Sequence, residues 1–265
     1  MASWVAFALG LVYVCSDDLT RIYWALNWWQ DPFIIRVSYW LPGHSALLGP
    51  ILAWSGHPLL AAHALNGLLC GISVVQCFFV ARRLLRDESA ALLATALFSF
   101  LPMRIWISFS TLVEPLFTVY FLAWIGFVAQ WLEERDSRPL AYACVMSFLM
   151  GVTRQQGWVL SGLLAALVLW RERSLRSWLF ALVALAAPLF IAAYSYLDYG
   201  DALYMIHTYA ADSKQYYQGR QPNFLGLKTF ATLYALEALF LALGAAGWRR
   251  LDRRTRVVWA VAVAF

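Results

Sequence analysis

Two adjacent carboxylates, Asp17 and Asp18, follow the first apolar run in the stretch Ser16-Asp17-Asp18-Leu19-Thr20-Arg21-Ile22-Tyr23-Trp24. Further along come Arg104, then Glu114 within Ser110-Thr111-Leu112-Val113-Glu114-Pro115, and Arg154 within Thr153-Arg154-Gln155-Gln156-Gly157. His44, His207, Lys214 and Arg220 complete the polar set. A positioned carboxylate can take the proton of an attacking hydroxyl, and arginines can stabilise a departing phosphate through their fork of donors. The residue types therefore suit group transfer away from a phosphate, provided that the fold brings them to one place.

Each residue also has a plain structural reading. Ser16, Asp17 and Asp18 make a good helix start, with Ser as N-cap and acids complementing the positive end of the helix dipole. Arg104 can snorkel to lipid headgroups. Glu114 precedes a proline at a helix start, where an acid is again electrostatically comfortable. Arg154 resists such a reading, because a charge between two short apolar segments is costly unless it faces a cavity or a partner. Glu237 is read as neutral or paired within an apolar segment, and His63 as core. The histidines have no metal-ligand spacing. Neither do Cys15, Cys70, Cys77 and Cys144, which fall in or at the ends of apolar segments and read as packing residues.

The elements that must position these groups are set by composition. Hydrophobic residues make up 62% of the 265 and charged residues only 13%, against about 25% charged in soluble domains. Too little polar side chain remains to cover a water-facing surface, so the chain reads as an all-α, polytopic membrane protein. Apolar segments of the kind that cross a bilayer run over 2–15, 58–80, 90–107, 115–132, 139–152, 158–170, 178–197 and 224–248. A ninth begins at Val257. The whole of 1–265 reads as one module, the N-terminal part of a longer chain. No Lys or Arg precedes the first segment, which argues against a cleaved signal peptide.

Charge sets an orientation. Arg82, Arg83 and Arg86, then Arg135 and Arg138, then Arg171, Arg173 and Arg176, then Arg249, Arg250, Arg253, Arg254 and Arg256 fall in alternate loops. By the positive-inside rule those loops are cytoplasmic. The net charge of +5 then reports topology and gives no reason to invoke nucleic acid. Asp17, Asp18, His44, Arg104, Glu114, Arg154, Lys214 and Arg220 fall on the opposite side, and Asp17, Asp18, Glu114 and Arg154 are expected to line one cavity there. In the first outer loop, Leu19, Ile22, Tyr23, Leu26 and Trp29 recur at helical spacing, so Leu19–Gln30 is expected to form an interfacial helix separate from the first span. A break at Pro42-Gly43 and a second short apolar piece, Ser45–Trp54, follow.

These residues resemble the C-type (GT-C) superfamily of integral-membrane glycosyltransferases. That superfamily includes the protein O-mannosyltransferases of glycosyltransferase family 39, the aminoarabinose transferase of lipid A and the mannosyltransferases of glycolipid-anchor synthesis. The acid pair after the first span is similar to the family's, as are Trp40-Leu41-Pro42, Ser110-x-x-x-Glu114-Pro115-Leu116-Phe117, Thr153-Arg154-x-x-Gly157 and Tyr199-Gly200-Asp201. Two departures are an Asp-Asp pair where protein mannosyltransferases carry Asp-Glu, and Gln155 where proline is common.

The resemblance implies transfer of a hexose or pentose from a polyprenyl-phosphate carrier to a lipid, glycan or protein acceptor. The site would face the periplasm of a bacterial inner membrane. One of Asp17 and Asp18 would be the general base. The other would orient the acceptor, or bind a divalent metal in a metal-dependent version. Arg104, Arg154, Lys214 and Arg220 would meet the phosphate, with Glu114 and His44 in the same substrate site. The rival readings are a secondary transporter, which would place charges near the midplane on broken helices, and a non-catalytic cell-envelope assembly protein.

Overall fold

The computed structural model of the chain describes residues 16–32, 40–108 and 110–217. The described residues fold into helices α1 (Ser16–Gln30), α2 (Pro42–Ser55), α3 (Pro58–Leu85), α4 (Glu88–Phe100), α5 (Pro102–Ser108) and α6 (Glu114–Glu134). These are followed by α7 (Ser137–Gly151), α8 (Gln156–Arg171), α9 (Leu175–Ala184), α10 (Ala186–Tyr199) and α11 (Tyr204–Tyr217), with no strand among the described residues. The expected all-α class holds at this level.

Among the described residues two helices, α3 and α6, are long and apolar enough to cross a membrane, and the bent pair α9–α10 makes a third if counted as one span. The remaining segments differ from the sequence expectation. The segment 90–107 is not one span but breaks into α4 and α5 at Leu101-Pro102, where Leu101 takes an extended ψ of 127°. Proline has no N–H to continue the ladder and pushes the residue before it out of the helical region. The segment 178–197 bends by 59° between α9 and α10, where Pro188 removes one backbone donor and crowds the carbonyl of Ala184. Helices α7 and α8 have 15 and 16 residues, about 22–24 Å at 1.5 Å per residue. The expected segments 2–15 and 224–248, and the one starting at Val257, lie outside the described residues.

Helix starts and stops are written locally. Asp87 caps α4 by accepting from the Ala90 N–H at 2.8 Å, and Asp136 caps α7 by accepting from the Arg138 N–H at 3.2 Å. The two long helices end instead on arginines in the left-handed region, Arg86 (φ 54°) after α3 and Arg135 (φ 56°) after α6. Each donates its backbone N–H to the carbonyl four residues back. The ends of α3 and α6 are tied by Arg83 to Glu133 (3.1 Å) and Glu134 (2.7 Å) and by Arg86 to Glu133 (3.3 Å). Arg171 reaches the Leu132 carbonyl at 3.2 Å and Arg176 the Ser137 hydroxyl at 2.6 Å. The three described arginine loops therefore gather at one end of the bundle.

Helix α6 carries Glu114 at its start and Glu133–Glu134 at its finish, about 29 Å apart at helical rise. That length is close to the roughly 30 Å of a hydrocarbon core. Between the two ends lies the main core, in which Trp131, Leu140, Met150, Leu160, Leu164 and Val168 from α6, α7 and α8 are fully enclosed.

Helices α1 and α2 lie side by side in parallel, since Arg21 sits near His44, Ala25 and Trp29 meet Gly49, and Trp29 meets Trp54. A Cβ on Gly49 would stand 2.6 Å from the Ala25 carbonyl oxygen, so glycine here permits the close approach. The buried edge of α1 is Asp18, Ile22 and Ala25, whereas Leu19 and Tyr23 of the expected apolar stripe are more than half exposed. Leu19–Gln30 is helical as expected. Its relation to the first segment lies outside the described residues.

Candidate functional site

The end of the bundle opposite the arginine loops is built around Arg21. Its guanidinium lies 4.9 Å from the centre of the Trp40 ring, within cation–π range. Burial pulls the Arg21 pKa down; Glu114 most strongly, then Asp17, pull it up, Arg154 opposes them, and Asp18 adds a smaller raise. Five charged groups from α1, α6 and the α7–α8 turn thus share one electrostatic environment.

Asp18 is fully buried and accepts two hydrogen bonds from Thr111, from the backbone N–H at 2.7 Å and the hydroxyl at 3.0 Å. These tie the start of α1 to the loop before α6. The loop itself is fixed from α3, where the Asn66 amide donates to the Ser110 carbonyl at 2.7 Å and to the Leu112 carbonyl at 2.9 Å. Losing a buried partner costs about 1–3 kcal/mol per stranded group. The Asn66→Leu variant should therefore show lower thermal stability in detergent and a loosened Asp18–Thr111 contact. An unchanged melting temperature would contradict this account.

Glu114 forms an ion pair with Arg154, whose Nε also donates to Gln156 at 3.1 Å. Both charged side chains are about a quarter to a third exposed. The turn that presents Arg154 depends on Gly157, where a Cβ would stand 2.5 Å from the Met150 carbonyl carbon and 2.6 Å from the Gly151 nitrogen. Helix α2 braces the same turn through the Gly43 N–H, which donates to the Val152 carbonyl at 2.7 Å. One residue on, His44 is buried, and desolvation first, then Arg21, lower its pKa to about 3. It is therefore neutral at physiological pH.

The structure brings Asp17, Asp18, His44, Glu114 and Arg154 together. Asp17 is exposed. Arg104 is directed elsewhere: it donates to the Cys70 carbonyl at 3.2 Å and to the Ser73 hydroxyl on α3, and lies over the Phe98 ring at 4.6 Å. Lys214 lies on α11 but its side chain is outside the described residues, as is Arg220 altogether. On the loop before α11, Asp201 is hydrogen-bonded to His207 at 2.7 Å; this bond first, then the Leu203 N–H, lowers the Asp201 pKa.

Arg21, Thr111, Asn66 and Trp40 are the participants that the sequence reading did not assign. The signal for Arg21 was its position three and four residues after the acid pair, on the same side of one helix. Nothing local marks Asn66.

A divalent metal would be held through the carboxylates of Asp17 and Asp18, the first of them exposed. One oxygen of Asp18 accepts from Thr111, and no three His, Cys, Asp or Glu side chains gather among the described residues.

The chain matches no family model, no curated protein and no solved structure.

Proposed function

We propose that this chain is a multi-pass membrane glycosyltransferase that moves a sugar from a polyprenyl-phosphate carrier to an acceptor hydroxyl. The reading is supported chiefly by the meeting of Asp17, Asp18, Arg21, Glu114 and Arg154 at one end of a helical bundle. That end is one membrane thickness from the arginine-rich end. By the positive-inside rule the site would face outward, the periplasm in a bacterial inner membrane.

In this mechanism Asp17 is the general base, since it is exposed to an approaching acceptor while Asp18 is held by Thr111. Asp17 takes the acceptor's proton as the acceptor oxygen bonds to the anomeric carbon. The carbon–oxygen bond to phosphate breaks, and its electron pair leaves on the phosphate. Arg154 stabilises that charge, and polyprenyl phosphate is released.

The bent α9–α10 pair favours a second reading, a secondary transporter, because broken helices are a feature of such proteins. One experiment separates the two. Purified protein is incubated with a panel of polyprenyl-phosphate sugars, and free polyprenyl phosphate is followed. Release dependent on an acceptor supports transfer; intact carrier across the whole panel overturns it.

A further inference from the structure

The cluster contains three polar atoms that are buried and lack a hydrogen-bond partner: Nε of Arg21, Nε2 of His44 and Oε2 of Glu114. An unsatisfied buried group is costly, and native proteins keep few of them. Arg21 on α1 interacts electrostatically with both Glu114 on α6 and His44 on α2, and buried atoms left without partners in such a neighbourhood are the mark of groups that expect a polar guest.

Their chemistry limits what that guest is. Arg21 Nε–H can only donate, and the Glu114 carboxylate can only accept. His44 is 97% buried, as its relative exposure is 3%, and it is neutral, so its ring offers a donor or an acceptor but no charge. A phosphate placed against Glu114 Oε2 would be repelled, and His44 would add no cation to hold it. A hydroxyl, in contrast, donates to one neighbour and accepts from another. Beside these atoms stands the Trp40 ring, an apolar face next to a polar edge. Glu114 and Arg154 remain partly open to the outside and give a way in.

We propose that His44, with Glu114 and Arg21, forms a subsite for the neutral, polyhydroxylated ring of the donor, distinct from the Arg154 side that meets its phosphate. The proposal rests on the glycosyltransferase reading for the identity of the donor. Within it, His44 is a specificity-determining residue, binding vicinal hydroxyls and taking no part in proton transfer.

The test uses the full chain with two substitutions. His44→Phe keeps the ring's bulk and removes its hydrogen bonds, and His44→Gln restores an amide able to donate and accept. Binding of free methyl glycosides (hexose, pentose and N-acetylhexosamine) is followed by tryptophan fluorescence, which needs no turnover. Turnover on polyprenyl-phosphate sugars is measured in parallel, with sugar-free polyprenyl phosphate as inhibitor.

Loss of one hydrogen-bonding partner should weaken glycoside binding and raise KM for the donor about tenfold in His44→Phe. Inhibition by sugar-free polyprenyl phosphate should stay unchanged, and His44→Gln should remain within about threefold of wild type, less than the loss of a whole hydrogen bond. Equal weakening toward the sugar-free carrier overturns the subsite, as does wild-type glycoside binding in His44→Phe or the absence of saturable binding in the wild type. Saturable, His44-dependent glycoside binding without turnover on any donor would sustain the subsite and overturn the glycosyltransferase reading. Turnover that ignores His44 would do the reverse.

Discussion

Asp17→Asn is expected to lower turnover by about 100- to 10,000-fold, the usual loss when a general base is removed. Helix capping does not account for such a loss, since Asn caps as well as Asp. The neighbouring Asp18→Asn substitution makes the internal comparison. Both hydrogen bonds from Thr111 end on one oxygen of Asp18, Oδ1, and an asparagine can present the same oxygen. The loop before α6 should therefore hold its place, while one of the charges that attract Arg21 is lost. Asp18→Asn should accordingly cost less than about tenfold, well short of a lost base. Turnover measured at matched membrane expression decides the assignment. If Asp18→Asn is the inactive variant and Asp17→Asn is not, the two roles are exchanged. If both variants turn over normally, the carboxylates are structural.

Gly157→Ala is expected to be the most damaging single-methyl change in the described chain. The new Cβ would meet backbone atoms of Met150 and Gly151 at 2.5–2.6 Å, and backbone cannot swing aside as a flexible side chain can. Overpacking of this kind typically costs about 1–3 kcal/mol and sometimes more. The displaced segment is the turn that carries Arg154 to Glu114 and receives the Gly43 N–H from α2. Loss of stability and loss of the ion pair should therefore appear together. Gly71→Ala is the control, because its Cβ would enter open space. Detergent thermal unfolding of the two variants checks the account, and equal melting temperatures would refute it.

How far the sequence carried this picture depends on the range of the forces involved. Arginine-rich loops alternate along the chain because charge partitions against lipid whatever the tertiary fold, and the structure gathers Arg83, Arg86, Arg171 and Arg176 at one end. The break at Leu101-Pro102 was legible in principle, since proline acts on its immediate neighbour. It was obscured by the unbroken apolar character of 90–107. The stripe on α1 is divided between two neighbours, Ile22 packing inside the protein while Leu19 and Tyr23 stay exposed. Its protein partner is α2, which comes close at Gly49 against Ala25, a small-residue contact that no apolar periodicity marks. Asn66 and Thr111 lie far from the acids in sequence and act through backbone atoms that no spacing rule marks. Arg104 shared its residue type and side with Arg154, yet α3 offered its guanidinium a carbonyl, a hydroxyl and a nearby aromatic ring.

The left-handed arginines that close α3 and α6 bear on how the chain is threaded into a bilayer. A helix stop of this kind ordinarily uses glycine, because a side chain strains that backbone region. Arg86 and Arg135 accept the strain and supply a positive charge at the point where each long apolar helix ends. In the proposed topology the residue that says where the helix finishes also says which leaflet it finishes in. Glycine at position 86 or 135 would keep the punctuation and remove one of the charges that write the address, so the geometry of a span and its direction of insertion share a residue.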